Sequence, residues 1–312
     1  QANYIYPLDN SYIHLSLAKN FSNYGIWGVT KYEFSSSSSS ILFTLILSIV
    51  MKIFGNNHLY PLSINIIFLY FVIYLIFNKF RPLIFFENAE KKQKIISGII
   101  LSSVVLIIIL LIPMVFLTLS GMEHVLQILI NLIFINRLII YFEKFSNKNF
   151  IFLLFSSIFV GLVRYEGLFL ILISLFFFII KNRFKNGLIL LIISVLPLLI
   201  YGLISEAYGS LIIANSIFLK STKPENIEFI GIVKYAFSWI PNLIKEPHLL
   251  TIFISSAAIL WLNIKSHLSL KDEKNLWLIF SIFLIIFHLI FAKTGGGFRY
   301  EAYIIAIGLI GI

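Results

Sequence analysis

"IISGIILSSVVLIIILLIPMVFL", residues 95–117, carries no charged side chain along its whole length. As an α-helix it would span roughly 34 Å, more than the ~30 Å hydrocarbon core of a bilayer. Further apolar runs lie at 59–77, 125–142, 150–163, 167–180, 187–204, 248–264 and 276–292, and another begins at 302. The chain is 59% hydrophobic and only 12% Asp, Glu, Lys and Arg, about half the usual soluble level of roughly 25% charged. Continuous Ile/Leu/Phe runs lack the period-2 alternation of a membrane barrel. The expected fold class is all-α, a polytopic helical bundle whose surroundings are membrane lipids.

There is no cysteine, hence no disulfide, thiol nucleophile or Cys–metal site. The net charge of +10 belongs to no soluble domain, so no nucleic-acid partner is expected. Its distribution reads instead as topology. Four polar segments are rich in Lys and Arg: 78–94, 143–149, 181–186 and 265–275. By the positive-inside rule all four are cytoplasmic, and each neighbouring pair leaves room for an out-and-back pair of helices. The opposite, extracytoplasmic face then holds 118–123 "TLSGME", 163–167 "VRYEG", the long 205–247 segment and 293–301 "KTGGGFRYE".

Residues 41–54 form a shorter run, worth only about 21 Å as a helix, and read as an interfacial or re-entrant helix on the outer face. The organisation expected is a single transmembrane domain over 1–312. Residues 1–58 make an extracytoplasmic loop with juxtamembrane helices, 59–204 transmembrane helices, 205–247 a second outer loop and 248–312 further helices. The chain opens on Gln1 and stops inside an apolar run, so a preceding anchor or helix and the remainder of the last helix are expected. The runs at 150–163 and 167–180 are brief, which should recess the turn between them. An ionisable turn at that depth is tolerable against a protein-lined or water-filled cavity.

The candidate residues cluster on the outer face. Asp9 heads an amphipathic segment with Ile13, Leu17 and Phe21 at helical spacing, and reads either as an N-cap or as a group facing substrate. Arg164-Tyr165-Glu166 and Arg299-Tyr300-Glu301 repeat one tripeptide in a chain with five arginines, each just before an apolar run. Glu at a helix start suits the dipole, while Arg also suits bidentate phosphate binding. Glu123 and His124 open a helix after Gly121. The six histidines show no ligand spacing that would mark a zinc site. In the long outer loop Lys220 and Lys223 read as anion ligands or as solvated lysines, and 227–244 reads as an amphipathic surface helix. The serine run 35–40 leads into 41–54, where hydroxyls and free N–H groups would suit an anion.

Taken in order, "LDNSYIHLSLAKN", "SSSILFTLIL…KIFG", "SGME", "RYEG" and "ANSIFLK" resemble the GT-C superfamily of membrane glycosyltransferases, most closely its bacterial arabinosyl- and mannosyltransferase-like members. The resemblance implies a GT-C-type bundle in a bacterial plasma membrane with the site on the extracytoplasmic side. It implies transfer of a sugar from a polyprenyl-phosphate donor to a glycan or glycolipid acceptor, inverting, with Asp9 as general base. Asn10, Glu123, His124, Arg164, Tyr165, Glu166, Asn215, Lys220, Arg299, Tyr300 and Glu301 would bind substrate. The family carries an acidic pair at residues 9 and 10, where a divalent cation (Mg or Mn) could sit; Asn10 in the second place argues against it. Ile41 and Ala214 also stand where the family has Pro. Rival readings are a lipid-linked glycan flippase or transporter, and an O-antigen-type polymerase.

Overall fold

A computed structural model describes residues 4–85, 90–213, 229–266, 268 and 272–312. Among them the chain is entirely helical: α1 (Asp9–Tyr24), α2 (Ile41–Phe54), α3 (Tyr60–Ile84), α4 (Lys91–Leu111), α5 (Met114–Leu119), α6 (His124–Glu143), α7 (Asn147–Val163), α8 (Leu168–Ile180), α9 (Phe184–Ala207), α10 (Phe229–Ala236), α11 (Trp239–Lys245), α12 (Pro247–Lys265), α13 (Glu273–Phe291) and α14 (Ala302–Gly311). A 3-10 turn, Tyr165–Gly167, links α7 to α8.

Five helices, α3, α4, α6, α9 and α12, are long and apolar enough to cross a membrane. Their burial differs in a way that locates the core. In α6, 72% of the apolar window is enclosed, against 17–33% in the other four. Val125, Ile128, Leu132, Ile135 and Leu138 of α6 are buried, with α3, α7 and α14 packed around them. The outer helices instead expose Ile66, Ile67, Ile99, Ile107, Ile192 and Leu203. Apolar faces of this extent belong against lipid, so the chain is a membrane-embedded helical protein.

From α6 onward the long helices reverse direction in turn, which gathers the turns before α6, between α7 and α8, and before α14 at one end of the bundle. Helices α1 and α2 lie at that same end, side by side and parallel: His14 meets Thr44, and Lys52 Nζ donates to Ser22 O at 3.2 Å. At 14 residues α2 is a short apolar helix. Ser40 caps it, its hydroxyl accepting from the Phe43 N–H at 3.2 Å. The remaining serines are also taken up by protein groups: Ser36 meets Tyr201, Ser38 donates to Ser40 O, and Ser39 donates to Glu123. The run is therefore an internal polar seam rather than an open anion loop.

Two further expectations change. Leu8, not Asp9, occupies the α1 cap, with no side-chain cap bond; Asp9 is the first helical residue. The buried face of α1 is also more polar than Ile13, Leu17 and Phe21 suggested, since Ser11, His14, Leu17 and Ala18 are enclosed while Phe21 is exposed. The reason is its neighbour: that face packs on hydroxyls and a carboxylate. The described part of 227–244 is two short helices, α10 and α11, rather than one surface helix. They lean on the α12–α13 pair through Leu243, a Trp239–Phe253 ring contact and Asn242, whose Nδ2 donates to Leu289 O at 3.3 Å. Pro241 sits in the first turn of α11, where its missing N–H breaks no helical bond.

Candidate functional site

Five separate stretches meet at the end where α1 and α2 lie. Glu123, at the head of α6, is fully buried. Arg164, at the C-terminal end of α7 and 3% exposed, donates from Nη1 to Glu123 Oε1 at 2.7 Å. The same guanidinium grips Glu166 in a fork, Nη2 to Oε1 at 2.6 Å and Nε to Oε2 at 3.3 Å. Ser39 donates to Glu123 Oε1 at 2.9 Å, and His14 Nε2 approaches Glu123 Oε2 to 3.3 Å. His14 Nδ1 lies 2.7 Å from Thr44 Oγ1. Burial alone would raise the Glu123 carboxyl, but the His14 contact and the cationic groups around it hold it well below the ordinary carboxylate range.

Local backbone explains the fork. Arg164 is extended (φ −163°, ψ 143°) and the 3-10 turn follows at once, so Arg164 and Glu166 come to one side. Gly167 permits the turn to lie on α7: a Cβ there would stand 2.3 Å from the Val160 carbonyl oxygen. Gly121 (φ +67°) makes the corresponding bend before α6, with the Tyr6 ring filling the space a side chain would need.

The second copy of the tripeptide packs against the first. Tyr300 is buried, with the Arg164 guanidinium 5.5 Å and the Arg299 guanidinium 4.7 Å from its ring centroid. Arg299 donates to Tyr300 Oη at 2.8 Å, and its Nη1 lies 3.8 Å from Met122 Sδ. Among the described residues Arg299 has no carboxylate within ion-pair distance. Glu301, fully buried, accepts from the Gly295 N–H, while its Oε2 has no hydrogen-bond partner. Burial raises its carboxyl to about 7, with Glu246 adding to the rise and the Gly295 N–H opposing it.

From this cluster a polar stripe runs into the bundle along α6. His124, Gln127 and Asn131, at i, i+3 and i+7, are buried, and neither ring nitrogen nor either amide has a hydrogen-bond partner. The stripe descends about 10 Å. Buried polar groups without partners are costly in a membrane interior.

Of the sequence-derived candidates, Glu123, His124, Arg164, Glu166, Arg299 and Tyr300 come together, with Glu301 beside them. Tyr165 instead joins an apolar cluster with Leu17, Trp27 and Leu198. Asp9 is exposed and Asn10 half-buried, and among the described residues neither makes a side-chain hydrogen bond or ion pair. At 100° per residue Asp9 lies about 140° round α1 from His14, the α1 residue that touches the cluster. The 9–10 pair does not suit a cation: one member is exposed and the other uncharged. Asn215 and Lys220, with Lys223, lie outside the described residues. Sequence reasoning saw Ser39 only within the 35–40 run and passed over His14, Gln127 and Asn131. The last two were legible as polar residues at helical spacing in an apolar run.

Comparison with known proteins gives no matching family model, curated protein or solved structure.

Proposed function

We propose that this protein is a membrane glycosyltransferase that moves a sugar from a polyprenyl-phosphate donor to a hydroxyl of an envelope glycan or glycolipid, at the outer face of a bacterial plasma membrane. The observation that carries the reading is the meeting of both Arg-Tyr-Glu turns around Tyr300, at the end of a lipid-facing bundle. An amphiphilic phosphate donor could keep its isoprenoid chain among the apolar helices and present its head group there. Arg164 is committed to Glu123 and Glu166; Arg299, with no carboxylate partner among the described residues, is the better ligand for the phosphate. In the transfer the acceptor oxygen bonds to C1 of the sugar and the C1–O bond to phosphate breaks. Polyprenyl phosphate leaves with the electron pair, and a base takes the acceptor proton. Asp9 holds that role on the sequence resemblance alone, since it stands on the far side of α1 from His14 and the cluster. His124 and Gln127, whose side-chain polar atoms have no hydrogen-bond partner, would bond sugar hydroxyls.

Reconstituted vesicles given labelled polyprenyl-phosphate sugar test this. Release of polyprenyl phosphate with a glycosylated acceptor is expected, abolished in Asp9→Asn and weakened in donor use in Arg299→Ala. Undiminished transfer by Asp9→Asn would remove Asp9 as the base. The stripe through Gln127 and Asn131 favours a second reading, a carrier of lipid-linked glycan, because polar groups deep in a bundle mark transport paths. Donor movement across the vesicle without bond cleavage would establish that reading instead.

A further inference from the structure

Glu246 and His248, two residues apart in the chain, meet Glu301 from a distant stretch beside the cluster. Glu246 follows α11, His248 lies in the first turn of α12, and Glu301 heads α14. Each offers one ligand atom, and these atoms lie within 4.8 Å of one another. His248 Nδ1 and Glu246 Oε2 are 3.8 Å apart. Bonds of about 2.0–2.1 Å in a tetrahedral site put ligand atoms roughly 3.3 Å from each other, so modest side-chain movement closes the set.

Two independent features point to a ligand rather than a chance cluster. The Glu301 carboxylate is wholly enclosed, and its Oε2 has no hydrogen-bond partner among the described residues. Glu301 and His248 are also held in orientation from behind, as metal ligands usually are. The Gly295 N–H binds the other Glu301 oxygen, and Phe298 packs edge-on against the His248 ring, centroids 4.6 Å apart. The loop supplying both contacts turns through Gly295, Gly296 and Gly297, all at positive φ, a conformation glycine adopts without strain.

We infer that Glu246, His248 and Glu301 bind a divalent first-row cation. One imidazole and two carboxylates suit zinc or manganese better than calcium, which takes oxygen ligands alone. Two carboxylates balance the charge of the ion, and three protein ligands leave at least one position for water or a substrate oxygen. Bound there, the ion ties α11, α12 and the glycine loop together and fixes the neighbouring Tyr300 and Arg299. It is separate from the residue 9–10 position and does not depend on the transfer reading.

The full chain in detergent, freed of metal by chelator and dialysed, is titrated with zinc and with manganese by calorimetry, and bound metal is counted by mass spectrometry. One equivalent of one of these ions is expected, with a rise in Tm on binding. Glu246→Gln and His248→Ala alter partly exposed groups at helix ends, which should leave folding intact, and each should weaken binding at least tenfold. His58→Ala, an exposed histidine elsewhere, should bind like the parent. Binding well below one equivalent, or binding unchanged in both variants, would overturn the site.

Discussion

In Arg164-Tyr165-Glu166 the arginine is the enclosed group and two carboxylates answer it; in Arg299-Tyr300-Glu301 the glutamate is enclosed and, among the described residues, no cation answers it. Local backbone accounts for the difference. The first tripeptide leaves a helix in extended form and tightens at once into a 3-10 turn, bringing its own ends together. The second arrives from a run of left-handed residues, Gly295 to Phe298, and its glutamate folds back onto the loop N–H. One turn thus closes its charges internally, while the other leaves a cation and a carboxylate with bonding capacity unused. The two turns are joined through the Tyr300 ring.

Substitutions can break that contrast, and the largest effect belongs to the closed turn. Arg164→Ala strands Glu123 in a buried site and should cost about 3–5 kcal/mol, read as loss of unfolding free energy in detergent. Combining it with Glu123→Gln should recover part of that loss, because the stranded charge is gone. A full sum of the two single costs would mean that the pair is not coupled. Next comes Gly167→Ala, whose methyl meets the Val160 carbonyl; overpacking of this kind costs about 1–3 kcal/mol. The matching residue of the open turn is Ala302, already a side-chain-bearing residue in a buried position. Ala302→Gly should cost no more than about 1 kcal/mol, and a larger loss would show the second turn to be as tightly built as the first. Smallest is Arg299→Ala, which removes a cation–π contact worth about 0.5–1 kcal/mol. Its stability should barely move while use of a phosphate donor falls; a loss like that of Arg164→Ala would place Arg299 in the structural class.

The repeated tripeptide was visible in the chain, and so was its position before apolar helices. Which copy would pair internally was not, because that depends on the turn following one copy and the loop preceding the other. His14 was equally hidden. On α1 it looked like one polar residue among many, and only the parallel packing of α2 brings Thr44 and Ser39 to its ring. The Glu246–His248–Glu301 set spans more than fifty residues of chain, so no local spacing could announce it.

The sequence alone determined that this is a helical membrane protein and where its long helices run, since uncharged stretches longer than a bilayer have few other stable states in water or lipid. It also determined, by alternation of charged turns, which loops share an end of the bundle. The tertiary structure decided the partners: Arg164 with Glu123, two arginines on Tyr300, and Glu301 with the Gly295 N–H. Hydropathy and periodicity act over a helical turn or a helix length, whereas pairing of buried charges is set only when distant helices close around them.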